Sequence, residues 1–111
     1  MPFHDEWDHD PSVQMMRQLF SQMERAQERL LRDLDISPFD QRLRDGREHA
    51  RDLFERAWPR AGRKGIVADG KDAASLYIQC LAHALSERGI EVPDEVLQKN
   101  GKVVRFLKEE L

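Results

Sequence analysis

The chain has 111 residues, of which 35% are charged and 40% hydrophobic, and its formal net charge at pH 7 is −3. This length allows one domain with a modest core, and the negative balance argues against nucleic acid as a partner of the whole molecule. A single cysteine excludes an internal disulfide, and no stretch approaches the roughly 20 apolar residues of a membrane span. We therefore expect a cytoplasmic protein with no membrane partner.

Residues 1–10 form an acidic arm, which precedes a single predicted all-α domain over residues 11–111. The arm has four acidic residues, two histidines and no Lys or Arg, and it lacks the apolar stretch of a secretory signal peptide. Its side chains are of types that bind transition metals, but no further ligand accompanies them elsewhere in the sequence. We predict that the arm is solvated or caps the following helix, and that the chain binds no metal or cofactor.

Apolar residues recur at alternating spacings of three and four along the first predicted helix, which runs from Ser12 to about Asp35. We call this stripe the helix-1 seam: Val13, Met16, Phe20, Met23, Gln27, Leu30, Leu34. Its methionines are adaptable, Gln27 can set register, and flanking leucines widen the stripe beyond a two-stranded coiled coil. We predict that the seam contacts a second copy of the chain, as a homodimer, or another helical protein. The alternative is that the chain's own helices cover it.

A second stripe with the same spacing occupies residues 39–57 and predicts a second helix. Ser37 suits its N-cap and Pro38 its first position, while Pro59 is expected to end it. Residues 12–58 therefore predict an antiparallel helical hairpin, with a single kinked rod as the alternative.

Residues 59–70 contain glycines and three cations, and predict a basic loop. Arg60, Arg63 and Lys64 could bind an anion or a nucleic-acid backbone, which is the alternative function that the sequence offers. The loop lacks the Gly-x-x-x-x-Gly-Lys-Ser/Thr pattern of a phosphate-binding P-loop, and three charges supply little nucleic-acid affinity.

The remaining residues, 70–111, predict three shorter helices. Nearly every residue from Ala73 to Leu85 is apolar, so the helix that Asp69 caps is expected to lie at the centre of the domain. Gly89 is expected to end that helix, and two short helices follow it. The predicted fold is an all-α helical bundle with a long N-terminal helical hairpin followed by three shorter helices.

The sequence contains no recognisable set of catalytic residues. Cys80 and His83 lie one helical turn apart and could pair as nucleophile and base, but the apolar neighbours of Cys80 disfavour a thiolate. No set of nucleophile, base and orienting residue can be assembled, and no small-molecule substrate is indicated. We therefore predict a non-enzymatic interaction or regulatory module that associates with itself through the hairpin.

Overall fold

The computed structural model describes residues 11–67 and 69–110, and for residues 11–19 it describes the backbone alone. Five helices occupy these residues: α1 (Pro11–Leu34), α2 (Gln41–Arg63), α3 (Gly70–Glu87), α4 (Asp94–Leu97) and α5 (Gly101–Glu110). The described ranges contain no strand, which confirms the all-α prediction, and none of their helices is long and apolar enough to cross a bilayer. The predicted acidic arm lies outside the described residues.

Helix α3 lies at the centre of the fold, as its nearly continuous apolar sequence predicts. It contacts α1, α2, α4 and α5, and the side chains of Leu76, Leu81 and Leu85 on it are fully buried. Helices α1 and α2 each pack mainly on α3, and far less on one another. The predicted hairpin arrangement is therefore not confirmed, because α3 supplies the surface that the first two helices would otherwise have buried together.

Gly46 lies where α2 packs closely against α3. A Cβ atom placed on Gly46 would lie 2.8 Å from Cδ2 of Leu85, well inside normal contact distance. The absence of a side chain therefore allows the two helices to approach each other at this point.

The start of α2 differs from the prediction. Ser37 forms a turn in which its Oγ accepts the Phe39 N–H at 3.2 Å, and the N-cap is Asp40, whose carboxylate accepts the Arg42 N–H at 2.9 Å. The helix begins at Gln41, three residues later than a Pro38 start, because Asp40 is an equally good cap and its charge complements the helix dipole.

The end of α2 also differs, since the helix continues through Pro59 to Arg63. Proline removes the hydrogen bond to the carbonyl of Glu55, but both residues are exposed, so water can satisfy that carbonyl. On the opposite face Ala57 and Ala61 are buried on either side of Pro59, which favours continued helix. The predicted basic loop over 59–70 is therefore wrong in its first five residues, which are helical.

Two helices end in the same Gly-Ile pattern. Gly65 has φ +69°, and Ile66 N–H donates to the Ala61 carbonyl at 2.9 Å. Gly89 has φ +82°, and Ile90 N–H donates to the Leu85 carbonyl at 3.0 Å. Both are Schellman ends, in which the left-handed residue is glycine. The stop at Gly89 confirms the prediction, whereas Gly65 ends a helix where the sequence predicts a loop.

Polar contacts hold the C-terminal helices against α3. The carboxylate of Asp72 accepts hydrogen bonds from Asn100 Nδ2 at 3.0 Å and Lys102 Nζ at 2.9 Å. The amide nitrogen of Gln79 donates to the carbonyls of Val96 at 2.7 Å and Lys99 at 3.2 Å. These bonds fix the segment that joins α4 to α5, and α5 then buries Val103, Phe106 and Leu107 in the core.

Candidate protein-binding groove

Because α1 and α2 pack mainly on α3, an open groove of about 820 Å³ lies between them. We call it the α1–α2 groove. Its apolar surface is formed mainly by Phe20, Met23, Leu43, Phe54 and Tyr77. Its charged surface is formed by Glu24, Arg44, Arg47, Glu48, Arg51 and Glu55.

The apolar part of the groove is an ordered aromatic cluster. The Phe54 ring packs edge-on against Tyr77, with 5.8 Å between centroids, and lies 5.4 Å from Trp58. The Tyr77 hydroxyl donates a 2.5 Å hydrogen bond to Oε1 of Gln27, which joins α3 to α1 across the floor. Phe20 is 52% exposed at the groove, so a large apolar surface faces solvent there.

Three arginines line the α2 side of the groove. Arg44, Arg47 and Arg51 are spaced by three and four residues, which places them on one helical face. None of the three forms an ion pair with any residue that the structure describes. Burial raises the pKa of Tyr77, and the charges of Arg47 and Arg51 act in the opposite direction, so both cations lie close enough to influence the floor.

Arg47 is the cation least compensated by its own helix. The residues three and four positions away are Leu43, Arg44, Ala50 and Arg51, none of which is acidic. Arg44 and Arg51, in contrast, each have a glutamate four residues further along, and both glutamates line the groove. A ligand carboxylate could therefore pair with Arg47 without displacing an existing partner.

The helix-1 seam is divided between the groove and the core. Phe20, Met23 and Gln27 line the groove, whereas Leu30 is 4% exposed and belongs to the core, with Leu34 packed against it. Met23 is only 7% exposed, so Phe20 is the seam residue most open to a partner, and contact of the seam with a partner stays a prediction. The side chains of Val13 and Met16 lie outside the described residues.

The predicted anion-binding residues are separated by their partners. Arg60 Nη1 lies 2.5 Å and Lys64 Nζ 3.7 Å from the carboxylate of Glu110, and both cations lower the pKa of that carboxyl group. Arg63 is exposed and has no ion-pair partner in ranges 11–67 and 69–110. Anion binding stays a prediction, but two of its three cations already face an acid on α5.

The Cys80 prediction is confirmed, since Cys80 is fully buried and burial raises the pKa of its thiol to about 12. His83 and His49 share Glu87 instead, at 3.1 Å and 3.6 Å, and Arg88 Nη1 lies 3.0 Å from His49 Nδ1. This cation opposes a metal ion beside His49. Over the described part of the chain, no group of three or more His, Cys, Asp or Glu side chains could hold a metal.

The sequence pattern does not single out the arginines of the groove. Their spacing of three and four is a usable signal, but interleaved acids give it the appearance of an ordinary solvated face. The hydrogen bond between Tyr77 and Gln27 has no local signal, because 50 positions separate the two residues.

Comparison with protein-family models, curated protein sequences and solved structures gave no match for this chain. A function for the protein must therefore come from the chemistry of its own residues.

Proposed function

We propose that this protein is a non-enzymatic interaction module that binds a helical segment of a partner in the α1–α2 groove. The observation that carries the proposal is the pairing of an aromatic floor with arginines that have no ion-pair partner among the described residues. Exposed aromatic side chains beside arginine are typical of the energetic centres of protein interfaces.

The dimensions of the groove suit a short helix. Its α2 side extends from Leu43 to Glu55, a distance of about 18 Å or roughly three helical turns. A helix laid along it would contact α1, α2 and the Tyr77 floor, and would complete a four-helix arrangement. The recognised segment would place an apolar stripe against Phe20, Met23 and Phe54.

The charge of the groove indicates the polar residues of the partner. Acidic side chains flanking the apolar stripe would pair with Arg47, and with Arg44 or Arg51, through charge-assisted hydrogen bonds. Basic side chains placed beside Arg47 would be repelled, because no acid lies three or four positions from it on α2. The partner is a second copy of the chain or another helical protein, and sedimentation across a concentration series distinguishes the two, since a homodimer dissociates on dilution.

A labelled peptide tests this proposal. The probe is a synthetic amphipathic peptide of about 14 residues, with leucines on one face and glutamates flanking them; a second peptide carries lysine in place of glutamate. Fluorescence anisotropy should show that the acidic peptide binds the full chain more tightly than the basic one. The double variant Arg47→Glu, Arg51→Glu should weaken acidic-peptide binding by about tenfold and strengthen basic-peptide binding.

The matched control is Arg25→Glu, Arg32→Glu, which reverses two exposed charges on α1 away from the groove. It should leave both affinities unchanged. The proposal would be overturned if the acidic and basic peptides bound wild type with equal affinity and also bound the Arg47→Glu, Arg51→Glu variant with equal affinity.

A further inference from the structure

We propose that residues 1–10 of the same chain occupy the α1–α2 groove and compete there with the partner segment. This inference rests on the proposed function, because it assigns a regulator to the same groove. The occupant is identified by its chemistry. Residues 1–10 contain four acids without Lys or Arg, together with Phe3 and Trp7, and no ten-residue stretch beyond residue 12 combines two aromatic and four acidic residues in the absence of Lys and Arg.

This composition complements the groove in both of its parts. The aromatic side chains of Phe3 and Trp7 match the exposed face of Phe20 and the aromatic floor at Phe54. The four carboxylates match the arginine side of α2, where Arg47 has no acid three or four positions away on its helix. The same two features define the partner segment proposed above, so the two ligands exclude each other.

The length of the segment allows it to reach the groove from its own helix. Phe20, at the mouth of the groove, lies nine residues into α1 from Pro11, or about 14 Å along the helix axis. An extended chain covers roughly 3.3 Å per residue, so four or five residues reversing along α1 reach Phe20. The remaining five or six residues then have about 17–20 Å to pass Arg51 and Arg47.

Covalent attachment favours the segment of the same chain over that of a second copy. A short tether holds its ligand at an effective concentration in the millimolar range, far above the usual concentration of a second molecule. A partner must therefore bind more tightly than it would need to if the groove were free of residues 1–10. Neutralising the charges of this segment should remove the competition.

Trp7 reports directly on the docked segment. In the variant Trp58→Phe of the 111-residue chain, Trp7 is the only tryptophan. We expect its emission to be blue-shifted and protected from acrylamide quenching. Adding Arg47→Glu, Arg51→Glu should abolish the protection, whereas adding Arg25→Glu, Arg32→Glu should preserve it. Trp7 quenching equal to that of a free tryptophan amide in all three proteins would overturn the inference.

The acidic peptide separates failure of this inference from failure of the proposed function. The probe is titrated against wild type and against the quadruple variant Asp5→Asn, Glu6→Gln, Asp8→Asn, Asp10→Asn. If the peptide binds the quadruple variant about tenfold more tightly than wild type, the result supports both the inference and the proposed function. Equal, Arg47-dependent binding to both proteins overturns the inference and leaves the proposed function standing. If Trp7 is protected but the peptide binds neither protein, the proposed function is overturned and docking of residues 1–10 in the groove stands. A wild-type dimer that the quadruple variant converts to monomer overturns docking within one chain.

Discussion

Replacing Gly46 with alanine should destabilise the fold, although alanine is the better helix former. The new Cβ would lie 2.8 Å from Cδ2 and 3.6 Å from Cγ of Leu85, and Leu85 is fully buried. Because neighbouring core atoms leave Leu85 little room to move, overpacking should cost about 1–3 kcal/mol. Helix propensity returns about 1 kcal/mol, so the net loss is expected near 1 kcal/mol.

Gly62→Ala is the matched control on the same helix. Gly62 is exposed, and a Cβ placed there meets no atom within 4 Å. This substitution should stabilise the protein by about 0.5–1 kcal/mol, which separates the two variants by about 2 kcal/mol. For 111 residues the entropy of unfolding is about 0.23 kcal/mol/K, so their Tm values should differ by about 9 °C.

Urea unfolding followed by far-ultraviolet circular dichroism measures both variants, with unchanged m-values as the test of an intact fold. A double-mutant cycle with Leu85→Ala then isolates the contact. Leu85→Ala alone should cost about 2–5 kcal/mol, and less in the Gly46→Ala background, where the added methyl occupies part of the cavity. The close approach of the two helices would be refuted if the Gly46→Ala variant were as stable as the Gly62→Ala variant. It would also be refuted if the losses of unfolding free energy from Gly46→Ala and Leu85→Ala were additive in the double variant.

Three further predictions concern the core thiol, the α5 anchor and the C-terminal ion pairs. Burial raises the pKa of the Cys80 thiol from its ordinary value near 9 to about 12, so stability is full below pH 9 and falls as the pH rises toward 12. Urea melts should show this fall, a Cys80→Ala variant should reduce it, and a chromogenic disulfide should modify Cys80 only after unfolding. Asp72→Ala removes the acceptor of two side chains at the start of α5 and should lower the free energy of unfolding by about 1–3 kcal/mol, whereas an unchanged midpoint would contradict the anchor. Folding lowers the pKa of Glu110, so its contribution is present above the unfolded pKa and lost as the pH falls; Glu110→Gln should therefore be less stable than wild type near pH 7 but not near pH 2. The same variant frees Arg60 and Lys64, and unchanged retention on heparin at low salt would contradict the anion-binding alternative.

The helices themselves could be predicted because their determinants are local. The spacing of apolar residues predicts α1, α2 and α3, and the continuous apolar run from Ala73 to Leu85 predicts which of them is central. The Asp69 cap and the Gly89 stop depend on hydrogen bonds between residues three to five positions apart. Such contacts form in the same way whatever the rest of the chain does.

Boundaries were less predictable where two local signals compete. Ser37 and Asp40 both suit an N-cap, and only the packed structure decides that the helix begins after Asp40. Pro59 is a helix breaker by local rules, yet the burial of Ala57 and Ala61 retains the helix as far as Arg63. At Pro59 the burial of these two alanines outweighs the local preference of proline.

The sequence by itself determined that this chain forms amphipathic helices around one apolar helix, because periodicity, caps and stops act over a few residues. The tertiary structure alone decided which faces are covered. Insertion of α3 beside both α1 and α2 buries Leu30, leaves Phe20 exposed and turns Arg44, Arg47 and Arg51 toward an open groove. An apolar or charged stripe indicates that one face of a helix packs against another surface. Which surface that is depends on packing between residues far apart in the sequence.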